Sequence, residues 1–454
     1  MIMEKNSPVI FRRKIYDDLV NWKERDSKKY ALMIEGVRRV GKSTIVEEFA
    51  KNEYRTFMII DFLNAEKRIK DAFINYSHDM GQLTRILSGY YGIRLYENES
   101  LIVLDEVQEF PRAHQLVKYL VKYGKYAIIE TGSLITLKKK MKMTLPSEVI
   151  PISMNPMDFE EFAWATGHEV QLELAKQSFE KRVPVDKGIH EILTDLYRTY
   201  MITGGMPQAV SALIETNSFI DVETAKRSIL ELYRNDIWRE SDGILMEVFE
   251  SIPSMLNRVN RKFSPGRVKK KTRSNRYESR ISWLKASKIV NICYNCVNPD
   301  PAISQFQDVN DLKMYFVDTG LLLTMALQSN IVGRDELYGK LLSGRMSMNK
   351  GMFFENMVAQ SLVASGHDLH FCQFDFDDEE TGKKKKYELD FLMAKGRKLV
   401  AMEVKSGKPG SHRSLTHFRK KYGKVIESSY IICNSNLMVA DDIVYIPIYM
   451  AMYL

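Results

Sequence analysis

The sequence predicts an α/β fold, and three observations carry that reading. A short apolar run, Tyr30-Ala-Leu-Met-Ile-Glu35, stops at a glycine-bearing loop, and Thr44-Ile-Val-Glu-Glu-Phe-Ala-Lys51 beyond the loop has apolar residues at helical spacing. Similar apolar runs recur at 56–60, 101–104 and 126–130, with amphipathic helical stretches between them. A second set of β-rich runs, at 370–376, 388–393 and 399–404, follows a helical stretch over 350–365. Strands that alternate with helices are covered on both faces, so the first set predicts a mostly parallel sheet and the second a further α/β unit.

At 454 residues the chain is too long for one ordinary core and predicts about three domains. With 45% hydrophobic and 27% charged residues, the composition is that of a soluble globular protein rather than a disordered or membrane one. The N-terminal Met1-Ile-Met-Glu-Lys-Asn6 does not resemble a signal peptide, and no apolar stretch is long enough to cross a bilayer, which predicts a cytoplasmic protein with no membrane partner. The four cysteines are too few for a disulfide framework, and Cys293-x-x-Cys296 has no second pair or histidine tail, so it reads as core thiols rather than a zinc site.

The loop itself is Gly36-Val37-Arg38-Arg39-Val40-Gly41-Lys42-Ser43-Thr44. Glycines at its ends let backbone N–H groups converge on phosphates, Lys42 neutralises the β and γ oxygens, and the Ser43 hydroxyl ligates Mg²⁺. ATP and Mg²⁺ are therefore the predicted cofactors. Leu101-Ile-Val-Leu-Asp105-Glu106 is an apolar strand that ends in two carboxylates, of which Asp105 serves the Mg²⁺ and Glu106 polarises the attacking water. A third strand ends in Thr131-Gly132-Ser133, where Ser133 either senses the γ-phosphate or caps the next helix.

From about Met157 the pattern turns helical, with a break at Gly204-Gly205-Met206-Pro207, and residues 241–325 read as a small helical domain. Between Arg258 and Lys288, twelve Lys or Arg residues stand against one acid, Glu278. Such density repels itself unless an anion lies against it, which makes DNA the predicted partner of the 258–288 segment. Trp283, with Ile281 and Leu284, reads as core, and the loop Lys269–Arg273 is the better phosphate contact.

Gly36–Ser43, Asp105-Glu106-Val-Gln108, Thr131-Gly-Ser133, Pro156-Met-Asp-Phe-Glu-Glu-Phe162, Gly204-Gly-Met-Pro207 and Lys313-Met-Tyr-Phe-Val-Asp318-Thr-Gly320-Leu321 together resemble the prokaryotic AAA-type P-loop ATPases that carry an uncharacterised C-terminal region. The resemblance spans nearly the whole chain. It implies an AAA-like ATPase domain (1–165), a helical lid (166–240), a winged-helix-like domain (241–330) and a restriction-endonuclease-like α/β domain (331–454). Many relatives have a Gly-Arg pair after the third strand, whereas Leu145-Pro-Ser-Glu148 has no arginine here. A stabilising arginine would then come from a partner protein or another subunit, which leaves oligomerisation open.

Near the C-terminus, Asp390 and Met402-Glu403-Val404-Lys405 lie on two adjacent strand-like runs. Strand alternation puts Glu403 and Lys405 on one face, within reach of Asp390 on a neighbouring strand. Asp390 and Glu403, with Glu355 from the preceding helix, would bind Mg²⁺, and Lys405 would stabilise the attacking hydroxide or the phosphate. This set resembles the PD-(D/E)XK nucleases. Two readings stay open: an ATP-driven machine that acts on DNA with a Mg²⁺-dependent nuclease domain, or a regulatory ATPase switch that binds a protein partner or DNA and keeps that domain as a silent platform.

Overall fold

The computed structural model describes residues 9–132, 146–240, 243–258, 261–263, 275–327, 339, 350–377, 384–407 and 412–454. The chain divides into two compact units, one of Met1–Asn155 with Ala286–Lys288, the other of Pro156–Lys285 with Ile289–Leu454.

The first unit holds a five-stranded sheet of β1 (Ala31–Glu35), β2 (Thr56–Asp61), β3 (Ser100–Asp105), β4 (Ala127–Gly132) and β5 (Val149–Ser153), in the order β2-β3-β4-β1-β5. All four pairings are parallel, as the alternation of strands and helices requires. β4 lies between β1 and β3, so the phosphate loop after β1, the carboxylates after β3 and the end of β4 meet at one edge of the sheet. The strands are held by apolar packing on the helices: Met58, Ile60, Ile102, Leu104 and Ile128 meet Phe73, Leu116 and Leu120 in one core. Phe62 packs its ring against Phe73 and Phe110, each at 5.4 Å between centroids. Burial of each such side chain contributes about 1.5–3 kcal/mol.

The second unit begins with helices. Phe159–Ala165 starts at a capping box, in which the Asp158 carboxylate accepts from the Glu161 N–H and the Glu161 carboxylate accepts from the Asp158 N–H. The helix Lys187–Thr203 stops at Gly204, where the sequence pattern predicts a break. An eight-stranded mixed sheet follows, in the order β12-β13-β11-β10-β9-β8-β6-β7. Its strands are β6 (Val290–Cys296), β7 (Gln307–Phe316), β8 (Leu369–Asp377), β9 (Lys384–Lys395), β10 (Lys398–Val404), β11 (Ile426–Cys433), β12 (Met438–Ala440) and β13 (Ile443–Pro447).

One feature differs from the sequence reading. The 241–325 stretch is not purely helical, because β6 and β7 lie inside it and β6 pairs in parallel with β8. The sheet therefore runs across residue 330. Buried residues in β6 include Ile292, Cys293 and Cys296, a short apolar set whose type periodicity alone does not decide. Lys384–Lys386 is the exposed start of β9, where Lys384 and Lys386 stand opposite Asp377 and Asp375 in an antiparallel ladder.

Candidate functional site

The phosphate loop joins β1 to the helix Lys42–Glu53. Two backbone requirements explain its glycines. A Cβ on Gly36 would lie 2.4 Å from the Met154 carbonyl oxygen, and Gly41 has φ +99°, a left-handed conformation that glycine adopts freely. Val37 and Val40 are buried, Arg39 and Thr44 are exposed, and Arg39 also has a left-handed φ of 68°. The Lys42 ammonium donates to the Gly36 carbonyl at 3.0 Å and the Val37 carbonyl at 3.1 Å. Burial lowers its pKa, against the opposing pull of Glu106 and Asp105.

Across the sheet edge, the Ser43 hydroxyl donates to both Asp105 oxygens, at 2.8 and 3.1 Å. The Thr131 hydroxyl donates to the same carboxylate and accepts from the Glu106 N–H at 3.2 Å. Glu106 stands in a left-handed turn with φ 52°, and the Gln108 amide donates to its carboxylate. Gln108 fits there because residue 132 is glycine: a Cβ on Gly132 would lie 2.2 Å from Gln108 Oε1. Lys42, Ser43, Asp105 and Glu106 are thus brought together. Ser133 lies outside the described residues, and Thr131, two positions earlier, is the β4 hydroxyl that touches the Asp105 carboxylate and the Glu106 backbone. Ser43 and Asp105 set a hydroxyl and a carboxylate against each other, a hard-oxygen pair that fits Mg²⁺.

Two buried residues at this end of the molecule escaped the sequence reading. Arg13, 6% exposed, donates to the carbonyls of Val40 at 3.0 Å and Asn155 at 2.7 Å. In the sequence it sits in Arg12-Arg13-Lys14, which looks like a solvated basic run. His114 Nδ1 lies 3.0 Å from both oxygens of Glu130 in β4, a pair with no motif to announce it. Burial raises the Glu130 pKa and His114 opposes the rise.

The C-terminal acids also come together, but with internal cations among them. Glu355, on the helix Lys350–Ala364, accepts from the Arg261 guanidinium and from the Tyr315 hydroxyl at 3.1 Å, and Lys313 Nζ is 3.9 Å away. Lys313 is fully buried and pairs with Glu388 at 2.7 Å. Burial alone would lower its pKa; Glu355 and Glu388 more than reverse this, so it stays charged. Asp390 accepts from the Val404 N–H at 2.8 Å. Burial, then Glu355, raises its pKa to about 7, with Lys313 opposing. Glu403 pairs with Lys405 at 2.5 Å and accepts from the Leu415 N–H at 3.1 Å. Among the described residues, no group of three or more His, Cys, Asp or Glu side chains is arranged to hold a metal ion. Sequence reading missed Arg261 and Lys313 as partners because Arg261 and Glu355 lie 94 residues apart.

Of the basic segment, Lys269–Arg273 lies outside the described residues. Tyr277, Ile281 and Leu284 of the helix Asn275–Ala286 are buried, and Trp283 is half-buried. Among the described residues no helix is long and apolar enough to cross a membrane.

The parallel sheet, the glycine loop and the Asp105-Glu106 edge define a P-loop nucleotide-binding domain. More particularly, residues 28–163 match the family model described as an AAA domain, which supports a P-loop ATPase. Residues 194–331 and 350–451 match two models described as domains of unknown function, DUF8612 and DUF4143. The chain is 22% identical over 457 residues to Uncharacterized protein MJ1637 of Methanocaldococcus jannaschii, covering 93% of this chain and 84% of that protein. Among solved structures it is similar to a STAND signal-transduction ATPase with a tetratricopeptide repeat sensor from Pyrococcus horikoshii, at 12% identity and TM-score 0.28 over 80% of this chain and half of that one. It is also similar to the Drosophila ORC bound to DNA, at 14% identity and TM-score 0.30 over 74% of this chain and 96% of that one. Both likenesses are slight.

Proposed function

We propose that the chain is an ATP-hydrolysing switch that acts on DNA, with its C-terminal acid pocket serving as a platform rather than a nuclease centre. The observation that carries the first part is the contact of Ser43, Asp105 and Thr131 beside Lys42 and Glu106. In this reading the loop N–H groups and Lys42 hold the phosphates, and Lys42 exchanges its two loop carbonyls for phosphate oxygens. Ser43 and Asp105 would hold Mg²⁺, which would supply charge neutralisation at the phosphates. Glu106 orients and polarises the attacking water, and Thr131 keeps Asp105 and the Glu106 backbone in register with it.

DNA is the proposed partner because the 258–288 segment holds twelve Lys or Arg residues and one acid, with Arg261 and Lys262 drawn into ion pairs with Glu355 and Asp311. A winged-helix arrangement around the helix Asn275–Ala286 and a restriction-endonuclease-like fold for the C-terminal region are parts of the same proposal. The silent-platform reading is supported by the cations in the pocket. Arg261 and Lys313 already neutralise Glu355, Lys405 engages Glu403, and burial with Glu355 raises the Asp390 pKa to about 7, which weakens it as a carboxylate ligand. Those residues do not fit a Mg²⁺ site.

Phosphate release from ATP and Mg²⁺, with and without duplex DNA, tests the proposal. Wild-type turnover should rise with DNA, and Glu106→Gln should lose it. Turnover and DNA retention that are both indifferent to duplex would sink the DNA part, and Asp390-dependent cutting of that duplex would sink the platform part.

A further inference from the structure

We propose that Arg13 is a positioning residue for phosphate binding, an inference that rests on the nucleotide reading of the loop. Its guanidinium is buried, and its two terminal nitrogens donate to two carbonyls from distant parts of the chain, Val40 in the phosphate loop and Asn155 after β5. The Val40 carbonyl belongs to the same peptide plane as the Gly41 N–H. In a trans peptide those two groups point in opposite directions. Fixing the carbonyl toward Arg13 therefore aims the Gly41 N–H away from Arg13, the side on which the phosphate reading of the loop requires it. The amide at that point of the loop is a phosphate donor only in this orientation. Gly41, at φ +99°, has the freedom to flip the plane, so an external hold on it has a purpose.

The second nitrogen gives that hold a fixed reference. Asn155 follows β5 within the first unit, and Met154 before it donates its N–H to the Glu35 carbonyl at 2.7 Å. The Met154 carbonyl also sets the limit that only glycine satisfies at position 36. Both ends of the phosphate loop are thus referred to the same two residues, Met154 and Asn155, one through direct packing and the other through Arg13. A planar fork with two parallel donors meets both carbonyls at once; the single ammonium of a lysine does not reproduce that geometry.

The test is titration of the full chain with a fluorescent ADP analogue and Mg²⁺, using wild type, Arg13→Ala, Arg13→Lys and Lys42→Ala. Arg13→Ala should weaken binding about tenfold or more, the scale of a lost charged hydrogen bond. Arg13→Lys should fall between, and millimolar guanidinium chloride should recover affinity in Arg13→Ala but not in Lys42→Ala. Rescue of affinity is the readout that a merely structural arginine would not give. Wild-type affinity in Arg13→Ala beside a non-binding Lys42→Ala overturns the inference while leaving the loop reading intact. Wild-type affinity in Lys42→Ala overturns the loop reading and this inference with it. If Arg13→Ala does not fold, Arg13→Lys decides: binding within about twofold of wild type overturns the proposal.

Discussion

The Asp318 carboxylate accepts a 2.6 Å hydrogen bond from the backbone N–H of Gly205, 113 residues earlier in the chain, and a 2.9 Å one from the Leu321 N–H. Three glycines make the approach feasible. A Cβ on Gly204 would lie 2.2 Å from Asp318 Oδ1, one on Gly205 2.0 Å from the Met157 carbonyl, and one on Gly320 2.5 Å from the Gly204 nitrogen. The Gly204–Pro207 and Asp318–Leu321 motifs are therefore two halves of one clamp inside the second unit. Burial raises the Asp318 pKa and the donated N–H groups oppose the rise.

Removal of that carboxylate strands buried N–H groups. Asp318→Ala should destabilise the second unit by about 2–4 kcal/mol, read as a lower urea midpoint with unchanged slope. Asp318→Asn, which keeps one carbonyl acceptor, should lose less. A midpoint equal to wild type in Asp318→Ala would show that the clamp contributes nothing.

Asp390 gives the second unit a pH dependence of definite sign. Its folded pKa is raised from 3.8 to about 7, so between those values the native unit holds a proton that the unfolded chain has released. Stability should fall as pH rises from about 4 to about 7 and level off above. Asp390→Asn removes the cost of the buried charge and should be more stable than wild type at pH 8 by roughly 1–3 kcal/mol. Denaturation series across that range check it; a gap that widens toward acid pH contradicts the sign.

Arg261 and Glu355 should behave as a coupled pair. Arg261→Met leaves Glu355 buried with one fewer counter-charge and should cost about 2–3 kcal/mol, most of which Glu355→Gln in the same chain restores. Strict additivity of the two substitutions in a double-mutant cycle would contradict the pairing.

At the nucleotide site, Thr131→Val keeps the shape of the side chain but removes the hydroxyl that joins Asp105 to the Glu106 backbone. ATP turnover should drop about tenfold with nucleotide affinity within about twofold of wild type, since the contact serves the reacting arrangement more than binding. An equal loss in affinity and turnover would instead make Thr131 a binding group.

The nucleotide edge was legible because its signals are local. Gly36 and Gly41 mark backbone conformations, and Lys42, Ser43, Asp105 and Glu106 follow apolar strands in the order that a parallel sheet brings together. Arg13 was not legible, since an arginine flanked by Arg12 and Lys14 gives no sign of burial. The C-terminal acids were found as a set, but their chemistry depends on Arg261 and Lys313, which reach them through tertiary packing. Strands β6 and β7 escaped for a related reason: they pair with each other, and the sheet they join is reached only through β8, a partner of β6 that follows both in the chain.

That pairing also decides where the chain can be cut. A fragment that begins at residue 331 loses β6 and β7, leaving the backbone donors and acceptors of β8 facing solvent along a newly made sheet edge. Open edges of this kind pair with one another, so such a fragment should aggregate. A fragment that begins at Pro156 retains all eight strands and both halves of the Asp318 clamp. The smallest independently folding piece of the C-terminal region is therefore set by sheet closure, not by the sequence interval that looks nuclease-like.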